Sequence, residues 1–236
     1  MSPVDDSSNA DIQVRVQHAA TLSAAERAAV HRVFEASYKQ PNHEYLDRSI
    51  DRIGMLAIAF EASGDAVGYA ISRAHWMELP GFDAPQLVVL HGMRCVRPAF
   101  RHRGISGFVN RAVSDAMREE IAEIGRPARQ LECGRYGHAS RAGGRSDPSA
   151  VPQVGASPTA WQREVGLVVA EAYGSNLDPE TFVCLGSGIP IGYPNAEFEA
   201  TEFESAAFAP VDRARGDNLL VINWQPDAPP GWNDPD

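Results

Sequence analysis

Of 236 residues only three are cysteine, Cys95, Cys133 and Cys184, and only one, Lys39, is a lysine. An odd number of widely spaced thiols does not make a disulfide framework, so the three read as reduced side chains packed as small apolar residues. No Cys-x-x-Cys pair and no spaced Cys/His set occurs, and no metal site is expected. No apolar run approaches the roughly 18 residues that a membrane span requires. The opening MSPVDDSSNAD has neither a basic segment nor an apolar one, so a signal peptide is not expected either. With a formal charge of -10, the chain also lacks the broad positive surface that a nucleic-acid partner would demand. The expectation is a cytoplasmic protein with no membrane or nucleic-acid partner. The near-absence of lysine leaves arginine as the basic residue, which we take as a bias of composition with little functional content.

What is present is enough apolar material, 44% of residues, to bury a core. One domain is expected over residues 11–225, after a disordered stretch at 1–10 and before a Pro/Asp-rich tail at 226–236. DIQVRVQHA alternates as a strand, and TLSAAERAAVHRVFEASY opens with a capping box, Ser23 and Glu26, before apolar positions at helical spacing. QPNHEYLDRSIDR reads as loop or short helix. Two β-type runs flank Ser63-Gly64-Asp65 as a hairpin, and PQLVVLHGMRCV, apolar on both faces, suits a central strand. Pro98 ends that strand, and helical periodicity resumes through Ile105, Phe108, Val109, Ala112, Val113, Ala116 and Met117.

Between that strand and that helix lies VRPAFRHRGISGFVN, residues 96–110, a basic island in an acidic chain. The first turn of a helix offers backbone N–H groups with no partner in the helix and the positive end of its dipole. A glycine just before it lets an anion reach the backbone, and flanking arginines add charge-assisted hydrogen bonds. A pyrophosphate is the natural occupant. The same residues also suit an ordinary strand-to-helix turn with solvated arginines.

VRPAFRHRGIS resembles motif A of the GCN5-related N-acetyltransferases, the pattern Arg/Gln-x-x-Gly-x-Gly/Ala that follows a Val-x-Pro strand end. Arg101, Gly104 and Ser106 stand on the three defining positions, with a serine where the family has glycine or alanine. The order of elements over roughly residues 11–140 is similar to that family as well. The resemblance implies an α/β (α+β) fold, a mixed and mostly antiparallel sheet flanked by helices, here with an extended irregular C-terminal part. It implies transfer of an acyl group, acetyl above all, from acetyl-CoA to a primary amine of a small molecule or peptide, by direct attack in a ternary complex, without a metal. It leaves room for a homodimer. A catalytically inactive acyl-CoA sensor of the same fold is the alternative. The cofactor-binding set it implies is Cys95, Val96, Arg101, His102, Arg103, Gly104, Ile105, Ser106 and Gly107, the strand end pairing with pantetheine and the amides of 103–107 with pyrophosphate. No GxxxxGK[ST] pattern competes with it.

The resemblance also implies a general base and a proton donor, and neither transfers cleanly. The central strand Leu87–Arg94 has no carboxylate; His91 is its titratable group near neutral pH, as base or as a structural histidine. Which face His91 takes depends on a bulge, for which Gly92 is suited. On RQLECGRYGH, residues 129–138, alternation sets Glu132, Tyr136 and His138 on one face and Cys133 on the other. Glu132 is the alternative base, or this is a strand end turning polar as it meets solvent. Tyr173, ending the helix candidate TAWQREVGLVVAEAYG, stands in the order expected of the proton-donating tyrosine. The stretch 141–158 reads as a long loop. NAEFEATEFESAAFAP, with Glu197, Glu199, Glu202 and Glu204, reads as a solvated loop anchored by Phe198, Phe203 and Phe208, or as an acidic wall attracting a cationic amine.

Overall fold

The computed structural model describes residues 11–125, 128–137, 149–186 and 202–235. In chain order the elements are β1 (Gln13–His18), α1 (Ala24–Ser37), α2 (His43–Ile53), β2 (Met55–Phe60), β3 (Ala66–Met77), β4 (Gln86–Val96) and α3 (Ile105–Ile124). There follow β5 (Gln130–Tyr136), α4 (Ala160–Ala172), β6 (Leu177–Asp178), β7 (Val183–Cys184), α5 (Glu202–Ala207) and β8 (Asn218–Gln225). The strand order is β1-β2-β3-β4-β5-β8-β7-β6, and among the described pairings only β4–β5 is parallel. The architecture is thus a mixed, mostly antiparallel α/β sheet with helices. Two compact units divide it: residues up to 73 with 92–126, and residues 74–91 with 127–190 and those from 197 on.

The first unit is built on β2, whose six residues MLAIAF are all buried. Leu56 and Ile58 pack with Tyr69 and Ile71 of β3, and with Val30, Val33 and Phe34 of α1. Leu46 and Ile50 add the apolar face of α2, which is a full helix of three turns where the sequence allowed a loop. Asn42 explains it, since its side chain caps the Tyr45 N–H and Gly54 closes the far end in the left-handed region. Helix α1 starts as its spacing predicts, with Ser23 and Glu26 exchanging side-chain and backbone bonds. On α3 the buried stripe is Ile105, Val109, Val113, Met117 and Ile121, at strict four-residue spacing. Phe108, expected on that stripe, is 40% exposed, because one step off a four-residue row turns it toward solvent.

Side chains of α1 and α2 meet in a polar chain that the periodicity does not reveal. His31 and His43 stack with ring centroids 4.9 Å apart and share a 2.7 Å contact between their Nδ1 atoms. His31 Nε2 lies 2.9 Å from Asp47, which also receives Arg27, and His43 Nε2 lies 3.3 Å from Glu35. Burial works against the ionised Asp47, but the bonds from His31 and Arg27 outweigh it and hold the carboxyl below its ordinary range.

The second unit has its own core. Val88 and Leu90 of β4, Leu131 and Cys133 of β5, and Leu220, Ile222 and Trp224 of β8 face Val165 and Val169 of α4. Helix α4 begins with a second capping box, Thr159 with Gln162. The tail is part of this core: Trp232 is 1% exposed, meets Trp224 and Trp161 edge-on, and donates its indole N–H to the Ser149 carbonyl. TFVCLGSG yields only the two-residue β7, while NLLVINWQ becomes β8, antiparallel to β5. The segment read as an acidic loop contains α5; Phe208 packs beside Val183, Leu219 and Val221. Glu197, Glu199 and Phe198 lie outside the described residues, as do the side chains of Glu202, Phe203 and Glu204 and the loop residues 141–148.

Candidate active site

In the first unit, β4 ends at Val96 and the chain turns through a short 3-10 segment, Pro98–Phe100, before α3. His102 (φ 64°) and Gly104 (φ 77°) both adopt the left-handed conformation, and Gly104 is the N-cap of α3. No side chain caps this helix and no acidic residue occupies its first turn. The Phe108 N–H is the first to find a carbonyl of the same helix, that of Gly104 at 3.1 Å. The amides of Ile105, Ser106 and Gly107 precede that bond, at the positive end of a dipole worth about half a unit charge. A Cβ added to Gly107 would meet nothing within 4 Å, so the protein's own packing does not demand glycine there. These features suit an anion approaching the backbone from outside.

The arginines are placed by contacts of their own. Arg101 folds back so that its Nε donates to the Val96 carbonyl at 3.3 Å, and the Arg103 guanidinium lies 5.2 Å from the centre of the Phe100 ring. Ile105 is buried and anchors the first turn of α3. Cys95 is buried too, and burial pushes its thiol up to about 11 despite the Tyr69 and Tyr38 hydroxyls, so it stays a neutral packing group. Gly68 of β3 is a residue the sequence pattern did not single out. A Cβ there would come within 3.1 Å of both the Cys95 carbonyl and the Ile105 side chain, so its absence lets β3, β4 and α3 close on one another.

In the second unit, the parallel register sets His91 of β4 opposite Gly134 of β5, and Val89 opposite Glu132. His91 Nε2 donates to Glu132 Oε2 at 2.5 Å, with about a quarter of each side chain exposed. The face of His91, open in the sequence, is therefore the face of Glu132. Gln130, unforeseen, donates its side-chain amide to the other carboxylate oxygen of Glu132. A carboxylate can only accept, so the neutral ring carries its proton on Nε2. The carboxylate beside His91 comes from the next strand, β5.

Tyr173 belongs to the same unit. It is buried, and its hydroxyl donates between the carbonyls of His91 at 2.9 Å and Cys133 at 2.8 Å. It bridges β4 and β5 where their pairing ends, touching the backbone of His91. Arg135, whose side chain reaches Ser175 at 2.6 Å, lies 4.6 Å from the centre of the Tyr173 ring. Burial raises the phenol well above the ordinary tyrosine value, so the proton is held. His138 lies outside the described residues. Among the described residues no cluster of His, Cys, Asp or Glu is arranged to hold a metal ion, and no helix is long and apolar enough to cross a membrane.

No family model matches the chain, and no curated protein matches it. Among solved structures, the chain is similar to a GNAT family acetyltransferase from Brucella melitensis in complex with acetyl-CoA, with 18% identity, 51% of this chain and 75% of the other covered, and a TM-score of 0.36. It is similar to a GNAT family N-acetyltransferase from Escherichia coli in complex with CoA at 13% identity, over 52% of this chain and 62% of the other, with a TM-score of 0.36. An aminoglycoside acetyltransferase from an uncultured soil metagenomic sample gives 16% identity, coverage of 47% and 72%, and a TM-score of 0.34. Likeness at this level leaves function to be argued from the residues themselves.

Proposed function

We propose that the protein is a GCN5-related N-acetyltransferase that moves an acetyl group from acetyl-CoA to a primary amine by direct attack in a ternary complex. The observation that carries this reading is the Gly104 turn: a left-handed, uncapped entry to α3 with no acidic residue in its first turn and arginines on its rim. In this reading the amides of Arg103, Gly104, Ile105, Ser106 and Gly107 hold the pyrophosphate, with His102 fixing the turn. Arg101 and Arg103 add charge, and the backbone of Cys95 and Val96 receives the pantetheine arm. CoA supplies the activated acyl group, and the chain supplies position and proton transfer.

His91 then acts as general base. Glu132, bonded to Nε2 and itself held by Gln130, fixes the tautomer and stabilises the imidazolium that forms. This pair favours an enzyme over a silent acyl-CoA sensor, because a sensor has no use for an oriented base. The acceptor belongs to the class of small-molecule or peptide amines, and the cellular compartment in this reading is the cytoplasm.

Thermal-shift and calorimetric titration of the full chain tests it. CoA and acetyl-CoA are expected to stabilise the protein, and pantetheine, which lacks the pyrophosphate, is not. Thiol release from acetyl-CoA is expected with at least one member of a panel of polyamines, aminoglycosides and peptides. Absence of any shift with CoA would sink the assignment; binding without release across the panel would select the sensor.

A further inference from the structure

Helices α1 and α2 of the first unit are joined by a polar chain whose protons can be counted. His31 and His43 are parallel to within 5°, and they meet at their ring edges, where the two Nδ1 atoms are 2.7 Å apart. One of those nitrogens must donate and the other accept. At the far edges, His31 Nε2 lies 2.9 Å from Asp47 and His43 Nε2 lies 3.3 Å from Glu35. A carboxylate only accepts, so each Nε2 needs a proton as well. Three contacts therefore require three protons, and two neutral imidazoles hold two. A fourth proton would set N–H against N–H across the 2.7 Å contact. All the contacts are satisfied in one state only, the pair with a single positive charge.

The surroundings balance that charge. Asp47 also receives Arg27, which it shares with Asp51, so with Glu35 the carboxylates around the rings outnumber the guanidinium. Glu44, beside His43, is engaged with Arg48, and Arg32 is exposed. Strand β2, on which both helices pack, brings no titratable side chain. Tyr38, Tyr69 and Cys95 of the same core are kept protonated by burial. We propose that His31 and His43 form a pH-sensitive latch between α1 and α2: they share one proton between their Nδ1 atoms and grip both helices only while the pair carries a single charge. Loss of the shared proton as pH rises leaves lone pair against lone pair. Gain of a fourth proton as pH falls opposes two N–H groups. The stabilisation is thus full inside a pH window and lost on both sides of it, and what loosens is α2, whose Leu46 and Ile50 close the core over β2.

The test uses the full chain, isotope-labelled on nitrogen, and none of its readouts depends on acetyl-CoA. A scalar coupling between the two Nδ1 nuclei is expected across the shared proton, and the C2–H resonances of His31 and His43 should titrate together in two steps. Independent single-step titrations without that coupling overturn the proposal. Hydrogen exchange reads the latch itself. Corrected for the intrinsic effect of pH, exchange of the α2 amides should quicken about tenfold from about pH 6, below the ordinary histidine value, to about pH 9, above it. Tenfold is the scale of one lost hydrogen bond to a charged group. Amides of α3, in the same unit, should not follow. His43→Asn keeps an amide N–H near the Nδ1 position and cannot titrate, so its α2 exchange should be flat over that range. A flat wild-type profile rules the latch out, and so does a wild-type slope that survives in His43→Asn.

Discussion

The uncapped turn at the start of α3 and the imidazole–carboxylate pair on β4 and β5 are made of different material. The first is backbone: three amides, one left-handed glycine and a helix dipole, with side chains only at the rim. The second is side chain: two groups 41 positions apart in sequence, brought to 2.5 Å by strand register. A site made of backbone tolerates changes of side chain but not of φ. A site made of side chains tolerates neither loss of a functional group nor a slip of register, since a slip by one residue turns every side chain to the other face.

The sharpest way to break this comparison is Gly104→Val. A branched residue is strained at φ 77°, at a local cost of about 1–2 kcal/mol. CoA affinity should fall on the order of 100-fold, since hydrogen bonds to a charged group contribute about 1.5–3 kcal/mol each. Calorimetric titration would measure the loss, and circular dichroism should show the fold retained. Unchanged affinity would mean that the turn holds no anion. Next in size is Glu132→Gln, which leaves the register intact and removes the charge beside His91. It should cut kcat by roughly 10–100-fold with KM for acetyl-CoA unchanged, less than the roughly 100–10,000-fold of a lost acid–base group because His91 itself remains. A rise in KM instead would move Glu132 from proton transfer to donor binding.

Tyr173→Phe should act on stability rather than chemistry. Two carbonyls lose their donor, at about 1–3 kcal/mol by urea unfolding, while kcat stays near wild type. A collapse of kcat with stability intact would place the Tyr173 hydroxyl in the chemistry instead. The smallest effect concerns acid sensitivity in the first unit. The folded Asp47 carboxyl lies below its ordinary value, so the stability it contributes is full above the unfolded carboxylate range near about pH 4 and is lost as pH falls through the folded value. Asp47→Asn should flatten that part of the stability–pH profile, measured by denaturant midpoint from pH 6 to 3.

What could be read from the sequence follows the same division. The Gly104 turn is local: Arg101, Gly104 and the restart of helical periodicity are contiguous, so a linear pattern exposes the turn. Ser23 and Glu26 were legible for the same reason, being three residues apart. The partner of His91 was not legible, because it depends on which residue of β5 a parallel pairing sets diagonally across. Glu132 could be named as a candidate but not joined to His91. Gly68 and Gly134 carried no signal, since what each makes room for belongs to another strand, a helix or the Tyr136 ring. Tyr173 stood in the expected order, but order along the chain says nothing about where a hydroxyl points.

Trp232 carries a consequence for the chain as it is made. Its indole completes a core that also holds Val88 and Leu90, so those early residues of β4 have no finished environment until position 232 has been synthesised. At roughly 5–20 residues per second that interval is on the order of ten seconds. The core around β2, drawn from residues 19–95, has all its parts long before then. Until then the half of β4 that precedes Gly92 lacks the last partner of its core, while the partners of the β2 core have all been made.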